Sequence, residues 1–310
     1  MFKYIKYEQK KRGTMKISRK QFDVLEAIIE HPNISQRELA DITGYSLGLI
    51  NNTLKELNNN ELVVDNLISE KGIETLEPYR VKKAVIIAAG FGSRMVPITL
   101  NTPKPLVRVN GTRIIDTLLD AIVEIGIKDI TIVRGYLGEQ FDQLLYKYPM
   151  IKFVENPAFN DTNNISSMMC VRYGLENSYI LEADLLLSNK KLIKKYQYQS
   201  NYLGIKMSRS DDWCFEVENK IIKKQLVGGE NVYQEVGISY WNTEDGKKLS
   251  EDIKSTYDMP GGHERYWDQS VFSYFPNNYK VEIRECNKED VVEIDTFKEL
   301  QAIDKTYAIN

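Results

Sequence analysis

The stretch with the most chemistry in it runs from Ala88 to Gly111 and reads AAGFGSRMVPITLNTPKPLVRVNG. Gly90 and Gly92 let the backbone approach phosphate oxygens and present N–H groups to them. Arg94 can pair with a triphosphate as a bidentate fork. Lys104 is a point charge on a flexible stem, suited to follow charge as it builds on a phosphorus centre. Pro97, Pro103 and Pro105 stiffen the segment and keep Lys104 out of regular structure. A glycine pair alone would be only a tight strand-to-helix turn. The segment lacks both the GK[ST] of a Walker loop and the GxGxxG of a dinucleotide fingerprint. Phosphoryl-type transfer also asks for a cation held by carboxylates. Asp184 in SYILEADLLL and Asp268 in ERYWDQSVF are the candidate ligands.

Gly90, Gly92, Arg94, Pro97, Thr99, Pro103, Lys104 and Leu106 together fit the pattern GxGxRxxPxTxxxPKxL. That pattern resembles the signature of the sugar-phosphate nucleotidyltransferase family. The resemblance implies nucleotide binding by Ala88, Ala89, Gly90, Gly92, Ser93 and Arg94, with Asn164 facing the nucleotide or the acceptor phosphate; Tyr136, at the end of the second strand, is a candidate base contact by position. It implies catalysis by Lys104 and Arg94 and Mg2+ held by Asp184 and Asp268. Where the family has DGD or DAD, this chain has Glu182-Ala183-Asp184. Within the family, residues 82–305 resemble the bacterial CTP:phosphocholine cytidylyltransferases. The stretches that carry this are the nucleotide loop, VRGYLGEQFD, FNDTNNISSM, YILEADLLL, DDWCFEV, VGISYWN, RYWDQ and VEIDTFKEL. CTP and phosphocholine are then the implied substrates.

The aromatic residues agree with such an acceptor. A trimethylammonium group donates no hydrogen bond and is recognised by aromatic faces with acids nearby. All three tryptophans, Trp213, Trp241 and Trp267, lie in the later part of the chain with Tyr240 and Tyr266. Trp213, Tyr266 and Trp267 are the expected acceptor-binding set, with Lys104 on the phosphate and Asp211, Asp212 and Glu216 as neighbouring acids. Trp241 sits in a strand pattern that also fits core packing. His31 and His263 have no triad or metal context.

These residues need a frame. KAVIIAAG is an apolar run of the kind that forms a buried parallel strand. The helix RIIDTLLDAIVEIG, the strand IKDITIVRGY, the helix LGEQFDQLLYKY, the strand IKFVEN, the helix NNISSMMCVRYGLENS and the strand YILEADLLL follow in turn. Alternation of this kind gives an α/β domain with a Rossmann-like, mostly parallel sheet. The nucleotide loop then sits at the carboxyl end of its first strand, where such sheets bind ligands. Residues 201–241 read as an antiparallel excursion that builds an acceptor pocket.

Residues 15–76 read differently. Phe22, Leu25, Ile28 and Ile29 share a helical face, and Ser18, Ser35 and Ser46 are N-cap candidates, with Ser35 and Glu38 spaced as a capping box. ELVVDNLISEKG reads as a hairpin. A small winged helix-turn-helix domain is expected, resembling that of bacterial regulators of the multiple-antibiotic-resistance type. From Met15 to Arg80 it has seven Lys and Arg against eleven Asp and Glu, and its third helix carries one base, Lys55. That is thin for phosphate neutralisation, so docking or dimerisation, for instance as a homodimer, is favoured over DNA. The domains expected are 15–76 and 82–310, joined by a short linker. KKRG before Met15 could be encoded by a purine-rich ribosome-binding sequence, which makes Met15 the expected start of translation.

Composition excludes little else. The 310 residues are 42% hydrophobic and 27% charged with net charge −3, an ordinary globular balance. No apolar run reaches the roughly 20 residues needed to cross a bilayer, so no membrane partner is expected. Cys170, Cys214 and Cys286 form neither a zinc pattern nor a disulfide framework, and a cytoplasmic protein is the plain reading. Two rivals stand beside CMP transfer to phosphocholine. One is a nucleotidyltransferase for another acceptor, 2-aminoethylphosphonate or a sugar 1-phosphate. The other is a ligand-sensing DNA-binding regulator.

Overall fold

The computed structural model describes Met15 to Ala308, so the expectation about Met1 to Thr14 lies outside the described residues. The chain divides into two compact units at Arg80 and Val81.

The first unit begins with α1 (Arg19–Glu30), α2 (Gln36–Thr43) and α3 (Leu47–Asn59). The caps form at the expected serines. Ser35 Oγ accepts from Glu38 N, while Glu38 Oε2 accepts from Ser35 N. Gly44 closes α2 in the left-handed region at φ 71°, where glycine carries no Cβ penalty. Phe22, Val24, Leu25 and Ile28 of α1 are buried, as are Leu39 of α2 and Ile50, Leu54 and Leu57 of α3, the helices α1 packs on. The hairpin β1 (Val63–Val64) and β2 (Leu67–Ile68) follows. Asp65 and Asn66 turn it at φ 49° and 61°, as a two-residue turn of the primed type requires.

A further helix, α4 (Glu70–Leu76), was not expected from the sequence. Its internal Gly72 reads as a turn signal, yet a Cβ there would lie 2.3 Å from Leu62 O and 2.6 Å from Ile68 Cγ1. The glycine is present because the helix packs on backbone.

The second unit comprises β3 (Lys83–Ala88), β4 (Arg108–Val109), β5 (Thr112–Arg113), α5 (Ile114–Glu124), β6 (Asp129–Arg134), β7 (Ile151–Glu155), α6 (Ile165–Val171), β8 (Ser178–Glu182) and β9 (Leu185–Leu187). It continues with β10 (Asn201–Glu218), β11 (Ile221–Trp241), α7 (Thr243–Asp258), β12 (Glu282–Cys286), β13 (Val291–Glu293) and α8 (Phe297–Ile303). Seven strands form one sheet in the order β10-β12-β11-β8-β3-β6-β7. The β8-β3-β6-β7 part is parallel, and β11 joins β8 antiparallel.

Alternation along β3 divides the core. Ala84, Ile86 and Ala88 pack with α5 residues Leu118, Leu119 and Ile122. Val85 and Ile87 pack on the other face with Ile165, Trp241 and Trp267. Each fully buried large side chain contributes about 1.5–3 kcal/mol, so β3 is held from both sides and its carboxyl end is a fixed platform.

Two expectations change. LGEQFDQLLYKY is a 3-10 helix over Gly138–Tyr146, with Gly138, Phe141 and Leu144 buried. Burial at every third residue matches three residues per turn. YILEADLLL is two strands, broken at Ala183 and Asp184, and β9 leaves the central sheet to pair with β13. The antiparallel excursion expected over residues 201–241 is the long β10–β11 hairpin.

Candidate active site

The loop after β3 leaves the sheet beside both β6 and β8, where the strand order reverses direction from the centre. It folds as three single turns, Ser93–Met95, Ile98–Leu100 and Lys104–Leu106. Thr99 Oγ1 donates to Gly92 O at 2.9 Å, tying the turns together. Gly92 has φ 68°, and a Cβ there would stand 3.0 Å from Lys104 Cβ. Its glycine is therefore required for conformation and for room. Ala88, Ala89, Gly90, Gly92, Ser93, Arg94 and Lys104 all line one cavity of about 500 Å³.

Lys104 is almost fully buried. Its Nζ lies 2.7 Å from Asp184 Oδ2 and 2.8 Å from Asp295 Oδ1. Burial alone would lower its pKa, but Asp184 and then Asp295 outweigh that and raise it. Arg94 also donates to Asp295 Oδ1 at 2.8 Å while its side chain stays two-thirds exposed.

Strand pairing explains how distant acids meet. Leu185 of β9 pairs with Glu293 of β13, and Ile294 N donates to Asp184 O at 3.3 Å. Asp184, Glu293 and Asp295 thereby bring ligand oxygens within 4.8 Å of one another. Glu293 is exposed at its edge, but desolvation among the neighbouring acids, then Asp184 and Asp295, push its carboxyl up to about 8. Glu182 is raised well above its ordinary range by burial, then by Asp184, Glu293 and Asp268. Asp184 Oδ1 is buried with no partner. Three carboxylates with an unpaired oxygen fit a hard divalent cation.

Asp268 is not part of that cluster. It lines the same cavity, but its Oδ2 accepts from Gln225 Nε2 at 2.9 Å, and the same amide donates to Glu235 Oε2 at 2.8 Å. Tyr202 donates to the other Glu235 oxygen. Burial, then the Asp268 charge, raise Glu235 well above the ordinary carboxyl range. Asp268 Oδ1 and Gln225 Oε1 have no partner.

The aromatic set divides. Trp213 and Tyr266 line the cavity, edge to face with ring centroids 5.5 Å apart, and Asp212 stands beside them. Trp267 does not line it. It is 1% exposed, stacked on Tyr202 and edge-on to Trp241, so it is core. Tyr240 and Trp241 are buried as well.

Tyr136 also departs from expectation. Its hydroxyl donates to Thr99 O and Leu100 O, and its ring meets Phe91 at 4.5 Å. It braces the nucleotide loop and does not line the cavity. Asn164 lines the cavity, donates to Glu182 Oε1 at 3.2 Å and accepts from Trp267 N.

Glu293, Asp295, Gln225 and Glu235 were missed from sequence. The signal for the first two lay in VEIDTFKEL, an E-x-D at a strand end. Gln225 and Glu235 had no local signal.

Residues 83–201 match the Nucleotidyl transferase family, and residues 17–64 match the winged helix-turn-helix DNA-binding family. The chain is 37% identical over 229 residues to a 2-aminoethylphosphonate cytidylyltransferase of Lancefieldella rimae, covering 72% of this chain and 92% of that protein. It is 32% identical over 228 residues to a choline-phosphate cytidylyltransferase of Streptococcus pneumoniae, covering 72% and 97%. A solved CTP:phosphocholine cytidylyltransferase from Streptococcus pneumoniae superposes with TM-score 0.68 at 30% identity, covering 73% of this chain and 99% of that one. The chain belongs to the nucleotidyltransferase family and carries an N-terminal winged helix-turn-helix. It is an enzyme of nucleotidyl transfer. Among the described residues no helix is long and apolar enough to cross a membrane.

Proposed function

We propose that the protein transfers CMP from CTP to 2-aminoethylphosphonate, releasing pyrophosphate. The observation that carries the acceptor is the pair of unpartnered buried oxygens, Asp268 Oδ1 and Gln225 Oε1, on residues that line the cavity. Buried acceptors without donors are costly. A primary ammonium brings three N–H donors to them, whereas a trimethylammonium brings the same positive charge but no N–H. The two cytidylyltransferase relatives support CTP as donor, and the first of them acts, by name, on 2-aminoethylphosphonate. Phosphocholine is the second reading. It is favoured by the Trp213–Tyr266 pair, although the loss of Trp267 to the core leaves a thinner aromatic box than the sequence suggested.

The chemistry needs no general base, because a phosphonate oxygen is already ionised. That oxygen forms a bond to the α-phosphorus, and the bond from the α-phosphorus to the β-phosphate oxygen breaks. Gly90 and Gly92 bring backbone to the triphosphate, and Arg94 and Lys104 compensate its charge. Asp184, Glu293 and Asp295 would hold Mg2+, which offsets charge on the phosphates when bound. Asn164 keeps the helix α6 end and Glu182 in register, and Asp268 with Gln225 orients the acceptor. Residues 15–76 serve as a docking or dimerisation module and 82–310 as the catalytic module. A single base on α3, Lys55, supports docking over DNA reading.

Pyrophosphate release with Mg2+ and CTP, offering 2-aminoethylphosphonate, phosphocholine and glucose 1-phosphate separately, tests the proposal. Release fastest with 2-aminoethylphosphonate is expected. Preference for phosphocholine would transfer the assignment to the aromatic pair. No release with any acceptor would sink the acceptor reading and favour a sensor domain.

A further inference from the structure

Lys104 touches two of the three acids that converge at the metal cluster. One ammonium bridges both: Nζ is 2.7 Å from Asp184 Oδ2 and 2.8 Å from Asp295 Oδ1. The side chain is 9% exposed, so this is a buried bridge and not a solvated surface pair. The oxygen that a bound cation would find without a donor is Asp184 Oδ1.

We infer that Lys104 is an exchangeable internal counter-ion: it neutralises Asp184 and Asp295 in the resting protein and yields them to the divalent ion. The Asp184 and Asp295 side chains are 22% exposed, and Arg94 also serves Asp295; Lys104 is the cation shown on Asp184, and taking it from a largely shielded carboxylate is costly unless another positive charge replaces it. An ammonium and a divalent ion so close together repel each other in a site of low dielectric. The lysine stem is long and flexible enough to swing while its backbone stays in the Lys104–Leu106 turn. Displaced from the acids, its charge is free for the triphosphate in the same cavity. The loop's lysine therefore becomes available to substrate when the metal is in place, which orders the two events in one site. In the free enzyme the lysine competes with the metal and weakens its binding. This inference rests on the reading that Asp184, Glu293 and Asp295 form the metal site.

Mn2+ binding without nucleotide, measured by the electron paramagnetic resonance signal of the free ion, tests it on the full chain. Folded Lys104→Met, checked by circular dichroism, is expected to bind Mn2+ about ten-fold or more tighter than wild type, since a competing and repelling charge is gone. In wild type, acetic anhydride labelling of Lys104, read by peptide mass spectrometry, is expected to rise when Mn2+ is added. Unchanged or weaker Mn2+ affinity in folded Lys104→Met overturns the inference, as does labelling that fails to rise. If that variant does not fold, the labelling result decides alone. Asp184→Asn separates the two layers. Loss of Mn2+ binding in it upholds the metal site whatever Lys104 does, and retention of wild-type affinity removes the site and the inference with it.

Discussion

Asp268→Asn distinguishes an acid that holds the acceptor from one that holds the metal. Asp268 is 5% exposed, with Oδ2 committed to Gln225 and Oδ1 unpartnered. The substitution keeps shape and removes charge. A hydrogen bond to a charged group contributes about 1.5–3 kcal/mol, and truncating one side of a buried charged pair costs about 2–5 kcal/mol. Taking roughly 2–3 kcal/mol, kcat/KM for 2-aminoethylphosphonate should fall about 30- to 150-fold. KM for CTP and the affinity for Mn2+ should move by less than about three-fold, because Asp268 lies outside the Asp184, Glu293 and Asp295 cluster. Steady-state pyrophosphate release gives the first two quantities, and titration with Mn2+ gives the third. A ten-fold weakening of Mn2+ binding would refute the assignment and return Asp268 to the metal. A loss of less than three-fold in acceptor kcat/KM would remove it from the acceptor site.

Gly92→Ala should lose about 1–2 kcal/mol of stability, from φ 68° and a Cβ 3.0 Å from Lys104 Cβ; denaturant melts measure it, and an unchanged midpoint would show that the loop relaxes freely. Trp213→Ala should cost phosphocholine more than 2-aminoethylphosphonate, by about 0.5–2 kcal/mol of cation–π attraction, and equal losses in kcat/KM for the two would remove the aromatic face from recognition. Glu235→Gln should flatten the pH dependence of stability. The folded pKa of Glu235 is raised well above the ordinary 4.5 by burial and then by Asp268. Its protonated form thus contributes stability that is complete below pH 4.5 and is lost as pH rises toward the folded value. Wild type should lose more melting temperature than the variant between pH 5 and pH 8, and parallel curves would contradict this.

Chemistry that is contiguous in the chain was legible in it. The nucleotide loop carries its glycines, Arg94 and Lys104 within 15 residues, Gly90 to Lys104. Strand and helix alternation followed from hydrophobic periodicity, and Ser35, Ser46 and Gly44 marked helix ends because caps are local. Three features needed tertiary structure. The acidic cluster joins Asp184 to Glu293 and Asp295 through the β9–β13 pairing, a long-range register with no local signature. Trp213 and Trp267 look alike in sequence, each beside an acid, but packing buries one on Tyr202 and leaves the other on the cavity. Asp268 is positioned by Gln225 of β11, whose amide also donates to Glu235 of the same strand. Residue type and spacing determine which groups a segment can offer. Which of them share a cavity, and which are removed from it by burial, is decided only when strands pair and the two faces of the sheet are covered.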